Sequence, residues 1–423
     1  MLNTLKTAFK VEDVRKRIIY TLLMFVVIRL GANVPIPGIN TAALQGVFAS
    51  NEGLLSMLDA FSGGAFRNMT LFALGIIPYI NSSIIMNLLT IAIPVLEEMQ
   101  KEGEDGRKKI ATITRYVTMV LALIQAIAIT LTLNAQRMFI QWNFFSALVS
   151  VSAMVAGTAF LMWLGERMNE KGVGNGISLI IAINILSGLP SGVQMITNLF
   201  KEGRYLSIIA ILVGFLAMIV VIVLIQLGER RISVQYAKRM QGRKVYGGQS
   251  TYIPLKVNMA GVIPVIFASS LLGFPQVLAG FFTAQPTGVL ATVLNFLNYY
   301  TNPFGTLLYF ILTVAFAYFY TAIIFNPYEV ADNMKKNGGF IPGIRPGKPT
   351  MEYLTTILNR MVFIGGVILG LISILPIILR WTTQAQINFG GTSLIIVVGV
   401  ALETINQIES LLITRHYKGF LNV

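Results

Sequence analysis

Cysteine is absent from this chain of 423 residues, and histidine occurs once, at His416. Without cysteine there is no disulfide and no thiolate chemistry. A single histidine in the C-terminal tail has no catalytic constellation around it. Charge is scarce too: Asp, Glu, Lys and Arg make up 12% of the residues, against about 25% in soluble domains. A nucleotide loop is missing as well. GIRPGKPT (Gly343–Thr350) imitates one, but Pro342 stands where its first glycine is needed and Pro349 stands at the Ser/Thr position. GVGNG (Gly172–Gly176) precedes an apolar run instead of following a strand, so its reading is a turn that starts a helix. No metal or cofactor is expected, and the chain does not read as an enzyme.

What is present is apolar: 55% of residues are hydrophobic. Ten runs are long enough to cross a hydrocarbon core, which takes about 20 residues of helix. They lie near Ile18–Ile36, Met69–Ile93, Ile110–Leu133, Phe144–Leu164, Ile177–Ile196, Leu206–Leu227, Met259–Phe282, Leu307–Phe325, Met361–Leu379 and Thr392–Ile413. The fold class that follows is an all-α integral membrane protein with ten transmembrane helices. Five spans fall in 1–200 and five in 201–423, so the halves enter the membrane from opposite sides, the topology of an inverted repeat. Sequence similarity between the halves is not evident.

The net charge is +14, and its distribution sets the orientation. Lys6, Lys10, Arg15, Lys16 and Arg17 precede the first span, and every second loop thereafter is charged, whereas Ala279–Pro303 carries no charge. By the positive-inside rule both termini are cytosolic, with Arg415 and Lys418 in the tail. The first residues resemble a signal peptide, but the run that follows is too long. Leu2, Leu5, Ala8 and Phe9 share a helical face, which reads as an interfacial amphipathic helix.

The longest basic projection is Glu229–Asn258, where Arg230, Arg231, Lys238, Arg239, Arg243, Lys244 and Lys256 accompany one acid, Glu229. So long a basic segment suits the docking of something large. Anionic lipid, an acidic protein surface and RNA are the chemistries it can meet.

The span centres hold no Asp, Glu, Lys, Arg or His, which argues against an ion-coupled pump or symporter. Glu403 comes closest and reads as polar lining of an inner vestibule. The second span, however, carries Asn81, Ser82, Ser83 and Asn87, too many polar groups for a helix facing lipid. Asn184, Asn258 and Pro264 add slight support for a hydrated interior. Ile80, Ile84 and Asn87 share one face, Ile181 and Ile185 another, and Ile266 and Ser270 a third. Aliphatic residues at that spacing also suit ordinary core packing. In the outward loop Gly31–Asn68, the apolar stretch Leu54–Phe66 is too short to span and is broken by Gly63–Gly64. It reads either as a half-helix tucked back into the protein or as a loop lying on the surface.

Seven ordered motifs resemble the SecY family, the central subunits of bacterial protein-translocation channels. They are PIPGIN (Pro35–Asn40), FSGGAF (Phe61–Phe66), LGIIPYINSSII (Leu74–Ile85), GVGNGISL (Gly172–Leu179), YAKRMQGRKVYGGQSTYIPLKVNMAGVIPVIFASS (Tyr236–Ser270), FIPGIRPGKPT (Phe340–Thr350) and GGTSLIIVV (Gly390–Val398). The resemblance implies an hourglass channel in the bacterial plasma membrane, narrowed by a ring of Ile80, Ile84, Ile181, Ile185, Ile266 and Ile396. A flexible apolar constriction can dewet against ions and close around any polypeptide. The resemblance also implies that Phe61, Ser62, Gly63, Gly64, Ala65 and Phe66 belong to a short re-entrant plug helix. It implies a lateral gate formed by the second and seventh spans with the third and eighth. Asn81, Ser83, Asn87, Ser269 and Ser270 are the polar candidates at that seam, where a signal sequence leaves sideways toward lipid. The loops 229–258 and 327–359 correspond to the docking surface for the motor ATPase SecA and the ribosome, with Arg239, Arg243 and Lys244 on one and Arg345 on the other. SecE and SecG are the implied companion subunits. The alternatives from other classes are a secondary transporter and a membrane scaffold; the missing midplane charge weighs against the first, and the implied ring and plug against the second.

Overall fold

The computed structural model describes residues 7–41, 44, 59, 62–236, 239–241, 244–246, 250–282, 288–383 and 391–420. Helix α1 (Glu12–Gly31) opens with Glu12 and Asp13 in its first turn and has Arg29 in its last, both favourable against the helix dipole. Turns are described directly after it and again over residues 63–76, and single bridges join Pro35 to Thr70 and Ile39 to Phe139. Helix α2 (Ile77–Ala92) therefore starts eight residues after the expected Met69. It ends where Pro94 follows: Ile93 is extended (φ −110°, ψ 112°), as the residue before a proline prefers. The chain resumes as α3 (Pro94–Lys101), bent 99° from α2.

Next come α4 (Glu104–Ala135), α5 (Phe144–Lys171), α6 (Gly176–Leu186), α7 (Leu189–Lys201) and α8 (Tyr205–Leu227). The turn expected at Gly172–Gly176 is there. Asn175 caps α6 by accepting from the backbone N–H groups of Ile177 (3.1 Å) and Ser178 (3.4 Å), the geometry of an N-cap. The fifth span is α6 and α7 together, interrupted at Ser187–Gly188. Helix α5 reaches the turn after α1 closely enough that a methyl group on Gly157 would meet the Leu71 carbonyl.

The second half is not purely helical. Strands β1 (Glu229–Tyr236), β2 (Arg239–Gln241), β3 (Lys244–Tyr246) and β4 (Ser250–Lys256) occupy the segment read as a basic loop. Helices α9 (Ile263–Phe282), α10 (Val289–Leu297), α11 (Pro303–Ile324) and α12 (Pro327–Lys336) follow, then β5 (Gly339–Phe340), α13 (Lys348–Thr383) and α14 (Gly391–Phe420). Strand β1 pairs antiparallel with β4 from Glu229↔Lys256 to Gln235↔Ser250, and its other edge pairs with β5 through Gln235↔Phe340 and Tyr236↔Gly339. The fold is thus predominantly helical with a small sheet at its charged end.

Among the described residues, seven helices are long and apolar enough to cross a membrane, and the bent α2–α3 pair makes eight. Helix α1 overlaps the first expected span only over residues 18–31, and α9 lies within the seventh. Large apolar residues cover the outside of the bundle, as on α8, where Leu206, Leu216 and Leu224 are exposed. The main core runs through the centre and draws on α1, α2, α5, α6, α8, α9, α11, α13 and α14. Near the N-terminus, Ala8 joins Val14, Val173, Ile408 and Leu412 in a small cluster while Phe9 points outward. Leu2 and Leu5, expected on the same face, lie outside the described residues.

Candidate functional site

The six isoleucines named from the resemblance all meet in the central core. Ile80 and Ile84 come from α2, Ile181 and Ile185 from α6, Ile266 from α9 and Ile396 from α14, and every one is buried in a single contiguous apolar cluster. Helical spacing explains the two pairs: residues four apart lie on one face. The same cluster includes Ala65, which is fully buried. The loop between α1 and α2 therefore turns back into the protein at that point and is not a surface loop there.

Around Ala65 the described chain forms turns from Gly63 to Met69, where a plug helix was expected. Phe61 lies outside the described residues. Ser62 is buried; its hydroxyl donates to the Asp59 carbonyl (3.0 Å) and accepts from the Phe66 N–H (3.0 Å). Phe66 packs against a second core that includes Ile36, Met69, Ala126, Leu133 and Met154. Gly63 and Gly64 both have positive φ (68° and 84°), which a side chain rarely adopts. Gly63 has a second constraint, because a Cβ there would come within 3.0 Å of the Asn184 Cα.

The Gly63 carbonyl accepts from Arg29 Nη1 (3.4 Å) and lies 3.2 Å from Ser187 Oγ, whose single proton is shared with the Asn184 carbonyl (2.6 Å), and Arg29 Nη2 donates to the Asn184 side-chain oxygen. Arg29 falls inside the expected first span, so the expectation of charge-free span centres does not hold for it. The signal was a lone cation in an apolar run, and such a residue is a functional candidate by default. Asn184 and Asn258 turn out to be satisfied by protein groups; Asn258 Nδ2 donates to the Gly261 carbonyl at 2.9 Å.

The expected gate helices do pack as two pairs, α2 with α4 and α9 with α11, and α4 meets α9. Ser82, which the candidate set omitted, is buried and donates to the Thr114 carbonyl of α4 at 2.8 Å. Ser269 is buried and donates to its own helix at Ile266 (2.9 Å). Asn81, Ser83, Asn87 and Ser270 are half-buried. On the other side, Phe267 of α9 packs edge-on against Phe316 and Tyr320 of α11, with centroids 5.8 Å apart in each pair.

At the charged end the two long loops form one body. Ile232, Val234 and Leu255 of the sheet share a core with Met334 of α12, Ile341 of the following turn, and Leu354 and Ile357 of α13. Ile232 and Val234 sit two apart on β1, so strand alternation sends both to the same face. Arg345 is exposed on a turn that this core anchors. Ile344 N–H donates to the Ile341 carbonyl (3.0 Å), and the Thr350 hydroxyl donates to the Arg345 carbonyl (2.9 Å). Ile341 and Thr350 are buried, so the tip is fixed while the arginine side chain projects. On the sheet, Arg231 pairs with Glu229 (2.6 Å) and lies over the Tyr252 ring, 4.9 Å from its centroid. Arg239 and Lys244 have backbone positions in β2 and β3; their side chains, and Arg243 entirely, lie outside the described residues.

Membrane-length helices, a central buried apolar cluster and a charged end define a multi-span helical membrane protein. The comparisons make the class specific. The SecY family model matches residues 70–405. A "Protein translocase subunit SecY" of Streptomyces scabiei is 46% identical over the full length of both chains. The protein of that name from Rickettsia typhi is 42% identical, covering 97% of this chain and 96% of its own. The solved structure of a protein-conducting channel superimposes with a TM-score of 0.64 at 17% identity, covering 94% of this chain and 92% of that one. The channel of a canine ribosome complex from the endoplasmic reticulum gives 0.61 at 16% identity, covering 94% and 92%. This chain belongs to the SecY family.

Proposed function

We propose that this chain is the conduit through which unfolded secretory polypeptides cross the bacterial plasma membrane, and that Ile80, Ile84, Ile181, Ile185, Ile266 and Ile396 are its gasket. Its relatives are named as translocase subunits and a solved neighbour as a protein-conducting channel. The observation that carries the assignment is the shared burial of six isoleucines from four helices, with Ala65 of the outward loop seated among them. Such a seal has no fixed polar contacts to break. Apolar side chains can part for a chain and close behind it, and when closed they exclude hydrated ions.

The finer reading has ten spans in two inverted halves, 1–200 and 201–423, with both termini cytosolic, which puts the sheet and Arg345 on the cytosolic side. There Arg345, Arg239, Arg243 and Lys244 receive SecA or the ribosome, and anionic lipid contacts are secondary. Support for the ribosome comes from a neighbour of the same fold, which is part of a ribosome complex. SecE and SecG are the companion subunits. Signal sequences and membrane segments leave sideways between the α2–α4 and α9–α11 pairs. The side chains of Asn81, Ser83 and Asn87 make no hydrogen bond to a protein group among the described residues, so water on the channel side supplies their partners.

Replacing Ile80, Ile84, Ile181 and Ile185 with asparagine tests the gasket. The idle complex in planar bilayers should then conduct small ions. Conductance equal to that of the parent would remove these residues from the seal.

A further inference from the structure

The polar contacts around Gly63 belong to no part of the seal or the docking face, yet they join three separate pieces of the molecule. Arg29 is in the last turn of α1, Gly63 is in the outward loop, and Asn184 and Ser187 are at the end of α6. Among the described residues Arg29 has no ion pair, and its buried Nε has no partner, so its charge is held by a carbonyl and an amide oxygen. Both donors to the Gly63 carbonyl come from outside the loop. The close backbone approach of Asn184 requires glycine at this spot.

We propose that Arg29, Asn184 and Ser187 form a latch that holds the outward loop in the channel and releases it when α6 moves. The proposal rests on the reading of residues 62–66 as the plug. Two physical points support it. First, if the loop leaves, the half-buried guanidinium loses an acceptor, and hydrogen bonds to charged groups are stronger than neutral ones; the closed state is therefore favoured. Second, Asn184 is adjacent to Ile185 and three residues from Ile181 on the same helix. A shift of α6 that widens the seal carries Asn184 and Ser187 with it, so the seal and the latch open together.

The chain has no cysteine, so Ala65→Cys supplies a unique buried reporter. Its labelling by a membrane-impermeant maleimide is measured in the intact complex in vesicles, beside idle ion conductance. Arg29→Gln should speed labelling about tenfold and raise conductance. Ser187→Ala, which leaves the charge in place, should give a smaller change in the same direction. Labelling and conductance unchanged in both variants would overturn the latch. If Arg29→Gln does not assemble, Ser187→Ala and Asn184→Ala decide by the same criterion. Removing residues 62–66 tests the plug separately: a leaking deletion with unchanged point variants keeps the plug and sinks the latch, whereas a tight deletion sinks the plug.

Discussion

The centre of the bundle and its charged end are held together by different physics. In the centre, isoleucines from α2, α6, α9 and α14 touch through side chains alone, and no backbone ladder joins those helices. At the charged end, β1 is hydrogen-bonded along both edges, to β4 and to β5, and a compact core of Ile232, Val234, Leu255, Ile341 and Leu354 locks sheet to helix. Dispersion contacts are individually small and tolerate sliding, whereas a paired strand holds its register. On the function proposed above, the difference lets one molecule combine a part that yields to any polypeptide with a part that meets a partner in a fixed pose.

The largest effect tests the rigid end. Arg345→Glu should abolish motor-driven translocation while the protein still inserts and assembles with its partners, measured with inverted vesicles and added motor. Normal transport would remove Arg345 from docking. Next, Leu255→Ala empties a fully buried site and should cost about 2–5 kcal/mol of local stability. It should weaken motor binding without raising idle ion conductance. A leak in that variant would mean that the two regions are not mechanically separate, and the contrast drawn above would break. At the centre, Ile266→Val removes one methyl group; it should cost about 0.5–1.5 kcal/mol and leave transport intact, since a yielding seal tolerates repacking. A transport defect from so small a change would show the centre to be as rigid as the platform.

The smallest effect is a pH dependence at the turn that carries residues 62–66, the proposed plug. Burial pushes the Asp59 carboxyl up, against the opposing pull of Arg67, whose backbone N–H donates to it at 2.8 Å. A raised carboxylate stabilises the turn fully below the ordinary carboxylate range and loses that contribution as pH rises through its elevated value. Idle conductance should therefore fall modestly on going from neutral to mildly acidic medium, and Asp59→Asn should flatten the response. An unaltered response in Asp59→Asn would place the titration elsewhere.

How much of this was legible in the sequence depends on the range of the interactions. Seven or eight of the spans were legible because apolar runs of membrane length have few other uses, and the end of α2 is set locally by Pro94. The pairs Ile80/Ile84 and Ile181/Ile185 show in helical periodicity, but their meeting with Ile266 and Ile396 needs tertiary packing; the family resemblance supplied it. The sheet was missed although Ile232 and Val234 alternate at strand spacing, because the partners of β1 lie at Ser250–Lys256 and at the two residues Gly339–Phe340. Arg29 was visible as a cation in an apolar run, but nothing local ties it to Gly63, 34 positions away. Ser82 was visible as one of four polar residues on α2, and only the packing of α4 singles it out as the one that is tied down.

The central claim is that the polypeptide passes through the isoleucine cluster. Single cysteines at Ile84, Ile185 or Ile266, in a chain that otherwise has none, would be paired with a cysteine in a secretory substrate stalled halfway through. Disulfide crosslinks should form at all three positions and be absent from a control cysteine at lipid-facing Leu216. Crosslinks at Leu216 with none at the isoleucines would contradict the account.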